Sequence, residues 1–397
     1  MEAPTLSSSF VKEAAIRVGF DACGIAIASP LTEEDWGYEE WLRRGYQADM
    51  AYMEQHRDKR SDPSLLVPGA RSVIVLLSGY KPSQTMQDRV SGARIAQYAY
   101  GEDYHERIKR MLFQLIAAIR QRYPDFEAKP CVDTVPISDK QWARRAGLGW
   151  IGRNTLLVNT VLGSYCNIGE LVTPSPADSY DTPIENRCGD CRACVDACPN
   201  HALSESRANS FAIPSQSMVT TEGSNHALSE SIANSFAMPS QSMVTTEGSN
   251  HALSESIANS FAMPSQSMVT TEGSNKALTH SHINELTHSS INEFPHSSIP
   301  LLDANRCASY HTVENRAETL PPDIRLSGYA FGCDICQLVC PYNQTAEVRY
   351  TLTDERKAQL EALADADPTA FKRLTKHTAL SRIRHSQWQR NQKQRKT

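Results

Sequence analysis

The chain has no long apolar run. No stretch of its 397 residues reaches the ~18 consecutive apolar residues that a membrane-crossing helix needs. The opening MEAPTLSSSFVKEAA carries acids and lacks the apolar segment of a secretory leader, so the cytoplasm is the expected compartment. There is no G-x-x-x-x-G-K-[ST] phosphate loop and no H-E-x-x-H zinc helix. The glycine cluster from Gly147 to Gly152 follows a predicted helix, not a strand, which is the wrong context for a dinucleotide fingerprint. Aromatic residues are sparse at 7%, and hydrophobic residues make up 40%, enough for a modest core. Acids are missing from the C-terminus. From Lys372 onward there are nine Lys or Arg and no Asp or Glu, so a net charge of −5 leaves the rest of the chain at −14 once the tail's +9 is removed. A basic tail on an acidic body points to contact with a polyanion. The plainer reading is a solvated helix end.

What the chain does have is cysteine in a particular order. Cys188, Cys191, Cys194 and Cys198 read C-x2-C-x2-C-x3-C and are followed by Pro199. Cys333, Cys336 and Cys340 read C-x2-C-x3-C and are followed by Pro341. A run closing in C-x3-C-P marks two cubane iron–sulfur clusters, in which the fourth cysteine of a run ligates the other cluster. The second run is one cysteine short, and Cys307 completes it. The spacing therefore predicts one [4Fe–4S] cluster on Cys188, Cys191, Cys194 and Cys340. It predicts a second on Cys198, Cys307, Cys333 and Cys336. A zinc ribbon explains two C-x2-C pairs but neither the tight run of four nor the prolines. A disulfide framework suits a short secreted chain. Cys23, Cys131 and Cys166 read as small buried hydrophobes.

The chain reads as α+β in several parts. Residues 1–175 read as an α/β domain. Its expected elements are a helix over 10–18, a strand over 22–28, a helix near 33–44 and a helix over 105–123. Strands are expected at 126–135, 155–158 and 169–172. Ser72–Leu77 is a continuous apolar run and fits a strand buried on both faces. Ser138 and Gln141 have the spacing of a capping box for a helix through Arg145, which Gly147 and Gly149 end. Residues 176–200 plus 301–345 form a two-cluster, ferredoxin-like module, and 346–397 a short helical basic tail. Between them lies an insert, 201–300. Its 25-residue unit, HALSESRANSFAIPSQSMVTTEGSN, recurs at 226–250 and 251–275 with changes only at Arg207 and Ile213, and a shorter echo occupies 279–294. Isolated Leu203, Phe211 and Met218 among serines cannot bury enough surface to offset ordering, so disorder is expected. Lengthening that loop about sevenfold adds only about 1.5–2 kcal/mol of closure entropy.

Asp133, in CVDTVP, ends a predicted strand among apolar neighbours. A carboxyl there would have a raised pKa and could donate a proton near neutrality. A turn or N-cap aspartate is the alternative. Tyr98, Tyr100, Tyr104 and His105 crowd into QYAYGEDYH and could line a pocket or simply pack.

These segments resemble one family. RSDPSLLVPGARSVI (60–74), YAYGEDYH (98–105), CVDTVP (131–136), WARRAGLGWIGRNTLL (142–157), RCGDCRACVDACP (187–199), RCASY (306–310) and FGCDICQLVCPYN (331–343) are similar to the epoxyqueuosine reductases, cobalamin-dependent iron–sulfur enzymes of tRNA modification. The insert is the main departure from that pattern. The resemblance implies that residues 1–175 hold cobalamin and that electrons pass through two [4Fe–4S] clusters to it. The reaction it implies is reduction of epoxyqueuosine to queuosine at the wobble position of tRNAs with GUN anticodons. It makes Asp133 the proton donor and a cofactor neighbour. It also places Arg60 of the R-x-D-P motif, Tyr98, Ser309, Asp334 and Ile335 around cobalamin. A low-potential electron donor, a monomer and no membrane contact are expected, with the tail tracking tRNA phosphates. A reductive dehalogenase shares both cofactors, and a non-enzymatic electron carrier shares the clusters; bound cobalamin and tRNA affinity discriminate among the three.

Overall fold

A computed structural model describes residues 3–32, 37–83, 93–206 and 299–395. The described strands are β1 (Ala22–Ile27), β2 (Ser72–Gly79), β3 (Arg94–Ile95), β4 (Lys129–Cys131), β5 (Trp150–Ile151), β6 (Leu157–Val158), β7 (Cys166–Thr173), β8 (Leu203–Ser206), β9 (Ile299–Leu302) and β10 (Tyr329–Phe331). Four of them form a sheet in the order β1-β2-β7-β4. Every pairing in it is antiparallel. The N-terminal part is thus an antiparallel sheet between helices, not the α/β arrangement expected of it.

β2 is buried along its whole length, as its apolar run implies. Period-2 alternation sends Ile74 and Leu76 to one face and Val73, Val75 and Leu77 to the other. The first face packs on the helices Ser8–Val18 and Tyr104–Arg120, where Leu112, Leu115 and Ile119 are fully buried. The second packs on the helix Asp139–Arg145 through Trp142 and Ala143. Each such side chain contributes roughly 1.5–3 kcal/mol by leaving water. Gly24 sets the approach of that helix. A Cβ there would lie 2.1 Å from the Ala146 carbonyl oxygen, so any other residue in β1 would push the helix end off the sheet.

The helix Tyr104–Arg120 starts where Asp103 accepts from the His105 amide (3.0 Å). The helix expected near 33–44 is Tyr38–Arg43, and residues 33–36 lie outside the described residues. The capping box at Ser138 does not form. Ser138 sits at φ −94°, ψ 72°, makes no side-chain cap, and Gln141 Oε1 is buried without a partner. The turn from Asp133 to Ile137 delivers Ser138 in the wrong backbone conformation for a cap. Gly147 ends the helix at φ +70°.

The basic tail is not a frayed end. Trp388 is 1% exposed and donates to the Leu363 carbonyl (2.9 Å), and Asn391 is fully buried between the Thr312 and Ala330 carbonyls, each 2.8 Å away. Arg390 is buried as well and donates to the carbonyls of His311, Asn315 and Ala317. It is a structural cation, unavailable to a polyanion. Lys372, Arg373, Lys376, Arg384 and Lys393 remain exposed. This C-terminal core includes Ile95, Tyr100, Phe331, Leu360 and Phe371, so it joins the tail to the N-terminal half. Trp388→Ala should cost about 3–5 kcal/mol in denaturant unfolding. A loss under about 1 kcal/mol would be the surface value and would contradict this burial.

The repeats beyond Ser206 lie outside the described residues, but the insert is ordered at both ends, where disorder was expected, and Leu203 is buried. β8 and β9 pair antiparallel with Leu203 opposite Leu302 and Ser206 opposite Ile299. Leu302 accepts from the Trp41 indole (2.7 Å), and Ala202 N–H points at Cys198 Sγ (3.3 Å). The hairpin therefore brings Cys198 and Cys307 into one region whatever length of chain runs between its strands. Replacing 207–298 with a two-residue turn should leave iron content per chain unchanged or higher; a fall would show that the repeats serve cluster assembly.

Candidate active site

Asp133 follows β4 at φ +20°, a costly conformation for a residue other than glycine. Its Oδ2 accepts from the Tyr104 hydroxyl (2.9 Å) and meets His105 Nε2 (3.1 Å) and Arg382 Nη1 (3.5 Å). The other ring nitrogen of His105, Nδ1, lies 2.8 Å from Asp103 Oδ1, so the imidazole bridges two carboxylates. Tyr104 and His105 stack at 4.0 Å, which fixes both rings.

The expected rise in the Asp133 pKa is corrected. Burial pushes it up, but hydrogen bonds from His105 and Tyr104, and the charges of His105 and Arg382, outweigh that and bring it to about 2. His105 moves the other way. Burial lowers its pKa, yet its bonds to Asp133 and Asp103 raise it above the ordinary value. These opposite shifts favour the proton on His105 and the charge on Asp133. A donor role for Asp133 therefore requires it to pass on a proton received from a neighbour.

Asp133 borders a cavity of about 1510 Å³. Its wall comes from Tyr38 and Trp41, the turn at Tyr52 and Met53, Arg60, the segment 133–141, β9 and Arg382. Tyr38 and Trp41 stack at 5.8 Å with planes 22° apart, a flat aromatic surface. Trp150 also borders the cavity and donates its indole N–H to Cys188 Sγ (3.4 Å). The cavity thus runs from Asp133 to Trp150, the bonding partner of the first cysteine of the first run.

The cysteines of the two runs gather in one region, where Cys336 has Cys333 and Cys307 and also Cys194 among its neighbours. Burial pushes the Cys194 thiol up to about 11, with Cys188 and Cys340 adding to it. Burial also raises Cys340, which has Cys188 and Cys191 as neighbours. Cys333 is pushed up to about 12 by burial and has Cys307 and Cys198 beside it. All eleven cysteines are free thiols, which removes the disulfide reading. Cys194, Cys333 and Cys340 would serve as thiolates only where a metal centre takes the charge. Among the described residues they do not converge on a single-ion site. A cubane holds its four thiolates at separate corners and needs no such convergence.

Of the other predicted residues, Arg60 borders the cavity, with its Nε buried and unpartnered. Tyr98, Ser309, Asp334 and Ile335 are not on that wall. Tyr98 packs on Tyr104 (6.2 Å) and Phe331 (5.9 Å). Asp334 is buried and accepts from the Gln97 amide (2.8 Å) and Gln337 Nε2 (3.1 Å), clamping the second cysteine loop to the turn at Gln97–Ala99. Ser309 lies in the helix Ala308–Val313 and Ile335 opens the helix Ile335–Leu338. Sequence reasoning missed Tyr38, Trp41, Asp103, Lys140 and Arg382. Only Asp103 left a signal there, as the N-cap two residues before His105.

Comparison with known proteins follows this geometry. Residues 60–134, from Arg60 past Asp133, match the family model described as epoxyqueuosine reductase QueG, DUF1730. Residues 182–204, with the first cysteine run, match a 4Fe-4S binding domain. The epoxyqueuosine reductase of Cyclobacterium marinum is 31% identical over 389 residues, covering 97% of this chain and 95% of that one. That of Leadbetterella byssophila is 44% identical over 196 residues, covering 49% and 64%. Among solved structures, the epoxyqueuosine reductase from Streptococcus thermophilus superposes with a TM-score of 0.64 at 21% identity, covering 96% of this chain and 78% of that one. An epoxyqueuosine reductase crystallised with a tRNA-Tyr epoxyqueuosine-modified stem loop gives 0.65 at 22%, covering 97% and 79%. At such identities the structures show a shared fold. The near-complete alignment at 31%, together with a family match over the segment that carries Arg60 and Asp133, makes this chain a member of the epoxyqueuosine reductase family and an oxidoreductase.

Proposed function

We propose that this chain reduces the epoxide of epoxyqueuosine in tRNA to the cyclopentene of queuosine, with Asp133 passing a proton to the departing oxygen. The observation that carries the reading is one cavity with Asp133 on its wall and Trp150, bonded to Cys188, at its other side. A proton route and an electron route thus meet the same space. The chain's near full-length similarity to an epoxyqueuosine reductase, and its fold likeness to one bound to a modified stem loop, support the substrate.

Two clusters fit the two cysteine sets, Cys188, Cys191, Cys194 and Cys340 in one and Cys198, Cys307, Cys333 and Cys336 in the other. Cobalamin fits the cavity. The stacked Tyr38 and Trp41 offer an apolar face, and the orphaned Arg60 Nε offers a donor for an amide oxygen. Family resemblance also places Tyr98, Ser309, Asp334 and Ile335 near the cofactor, although none of them lines this cavity. When bound, these groups supply electrons singly at low potential, drawn from a low-potential electron donor. The protein's own residues do the rest. His105, held by Asp103, recharges Asp133; Tyr104 fixes the carboxylate; Arg382 balances its charge. Lys372, Arg373, Lys376 and Arg384 track phosphates of a tRNA whose wobble base enters the cavity.

Anaerobic reconstitution tests the cofactor set. Corrinoid absorbance should elute with the protein on gel filtration, and tRNA should bind with a steep salt dependence. Cluster-loaded protein that retains neither corrinoid nor tRNA would be an electron carrier instead.

A further inference from the structure

The sheet beneath the cavity holds an acid that the mechanism above does not use. Glu170 lies mid-strand in β7 with no solvent exposure, and neither carboxyl oxygen has a hydrogen-bond partner. The ladder fixes its direction. Glu170 is opposite Val75 in β2 and Cys131 in β4, and directly opposed residues in an antiparallel pair share a face. Val75 and Cys131 both point towards the helix Asp139–Arg145, so Glu170 does too. At the first position of that helix stands Asp139, whose Oδ1 is also buried without a partner. Asp139 borders the cavity together with Asp133, two residues beyond Cys131. The three carboxyls are close enough to act on one another's charge.

Other charged groups here do not neutralise Glu170. Lys140 is exposed along much of its side chain, and its Nζ is spent on the Thr155 carbonyl (2.7 Å). Arg60 acts weakly on Asp139 from across the cavity wall. Cys131 opposite is itself raised by burial. An unpaired carboxylate in such a place is untenable, and the group responds by staying neutral. Burial, then the charge of Asp139, lifts Glu170 well above the carboxylate range, and burial lifts Asp139 to about 7. A leucine would fill this core position without leaving a buried polar group unpaired.

The reaction supplies a reason for it, given the function proposed above. Deoxygenating an epoxide breaks two C–O bonds, forms the C=C bond and releases water. It consumes two electrons, from the low-potential donor through the clusters, and two protons. His105 through Asp133 accounts for one. We propose that Glu170 and Asp139 hold a proton in reserve behind Asp133 and supply the second. Glu170 does not touch substrate; it acts through Asp139, so it is a positioning residue of the proton path.

The test is Glu170→Gln in the full, cluster- and cobalamin-loaded chain. Difference infrared spectra at neutral pH should show a protonated-carboxyl band in the wild type that this variant lacks. Single-turnover reduction should be near wild type at the acid end. At the alkaline end, where bulk protons are scarce, it should fall by at least about tenfold, the low side of a general-acid loss. Glu170→Leu provides the same readouts if the amide fails to fold. A band unchanged by the substitution, or pH profiles that run parallel to the wild type, would overturn the proposal. Parallel profiles with lower stability are what a purely structural glutamate gives. Wild-type protein that leaves epoxyqueuosine unreduced would overturn the reaction itself and with it the proton supply, while the infrared band still reports whether the acid is there.

Discussion

Asp133→Asn is expected to slow single-turnover reduction by about 10²–10⁴-fold, the usual worth of a positioned general acid. Clusters, cofactor and tRNA affinity should stay near wild type. The amide keeps the size of the side chain and can still accept from Tyr104, but it cannot take a proton from His105 and hand it on. The loss therefore belongs to the transition state and should appear in the chemical step, not in binding. The pH dependence follows from His105. A histidine whose pKa is raised on folding stays charged to higher pH, so the rate should fall as pH rises through that folded value. Asparagine removes one of the two carboxylates that raise it, so the alkaline limb should move to lower pH. An aspartate that merely shapes the turn after β4 predicts otherwise: a less stable protein with a rate per folded molecule within a few-fold of wild type.

Cys307→Ala should remove one cluster and spare most of the other. Iron should fall from about eight to about four per chain, because two cubanes carry four irons each. Turnover should be lost with it, since the electron route is broken. Cys340→Ala should remove the other set, although Cys340 belongs by sequence to the second run. That crossed result is the sharper one. Iron that stays at about eight in Cys307→Ala, or a Cys340→Ala protein whose loss falls on the Cys333 and Cys336 cluster, would break the ligand assignment.

Ligand spacing is local, and so it was legible. Gaps of two and three residues and a terminal proline are visible in sequence, and Cys194 has Cys340 as a neighbour. Cys307 joined its set by elimination alone. β2 and the helix Tyr104–Arg120 were equally plain, because their apolar periodicity extends over 8 and 17 residues. The electrostatics of Asp133 were not. Its apolar sequence neighbours suggested a raised pKa, while the groups that lower it arrive from other elements: His105 and Tyr104 from a helix 28 and 29 residues away, Arg382 from 249. Charge counting failed in the tail for the same reason. Arg390 counts as +1 in the sequence but sits buried among three carbonyls. Glu170 drew no notice in the sequence, although in NIGELVT it alternates with Ile168 and Val172; the register against Cys131 and Val75 shows which way that face points.

The central claim is the reaction, and mass analysis of the substrate tests it most directly. Anaerobically reconstituted protein, with a low-potential reductant, is given tRNA that carries epoxyqueuosine. The account predicts that the modified nucleoside loses one oxygen atom and becomes queuosine, in wild type and not in Asp133→Asn. Epoxyqueuosine left intact by protein with full iron and bound corrinoid would contradict it.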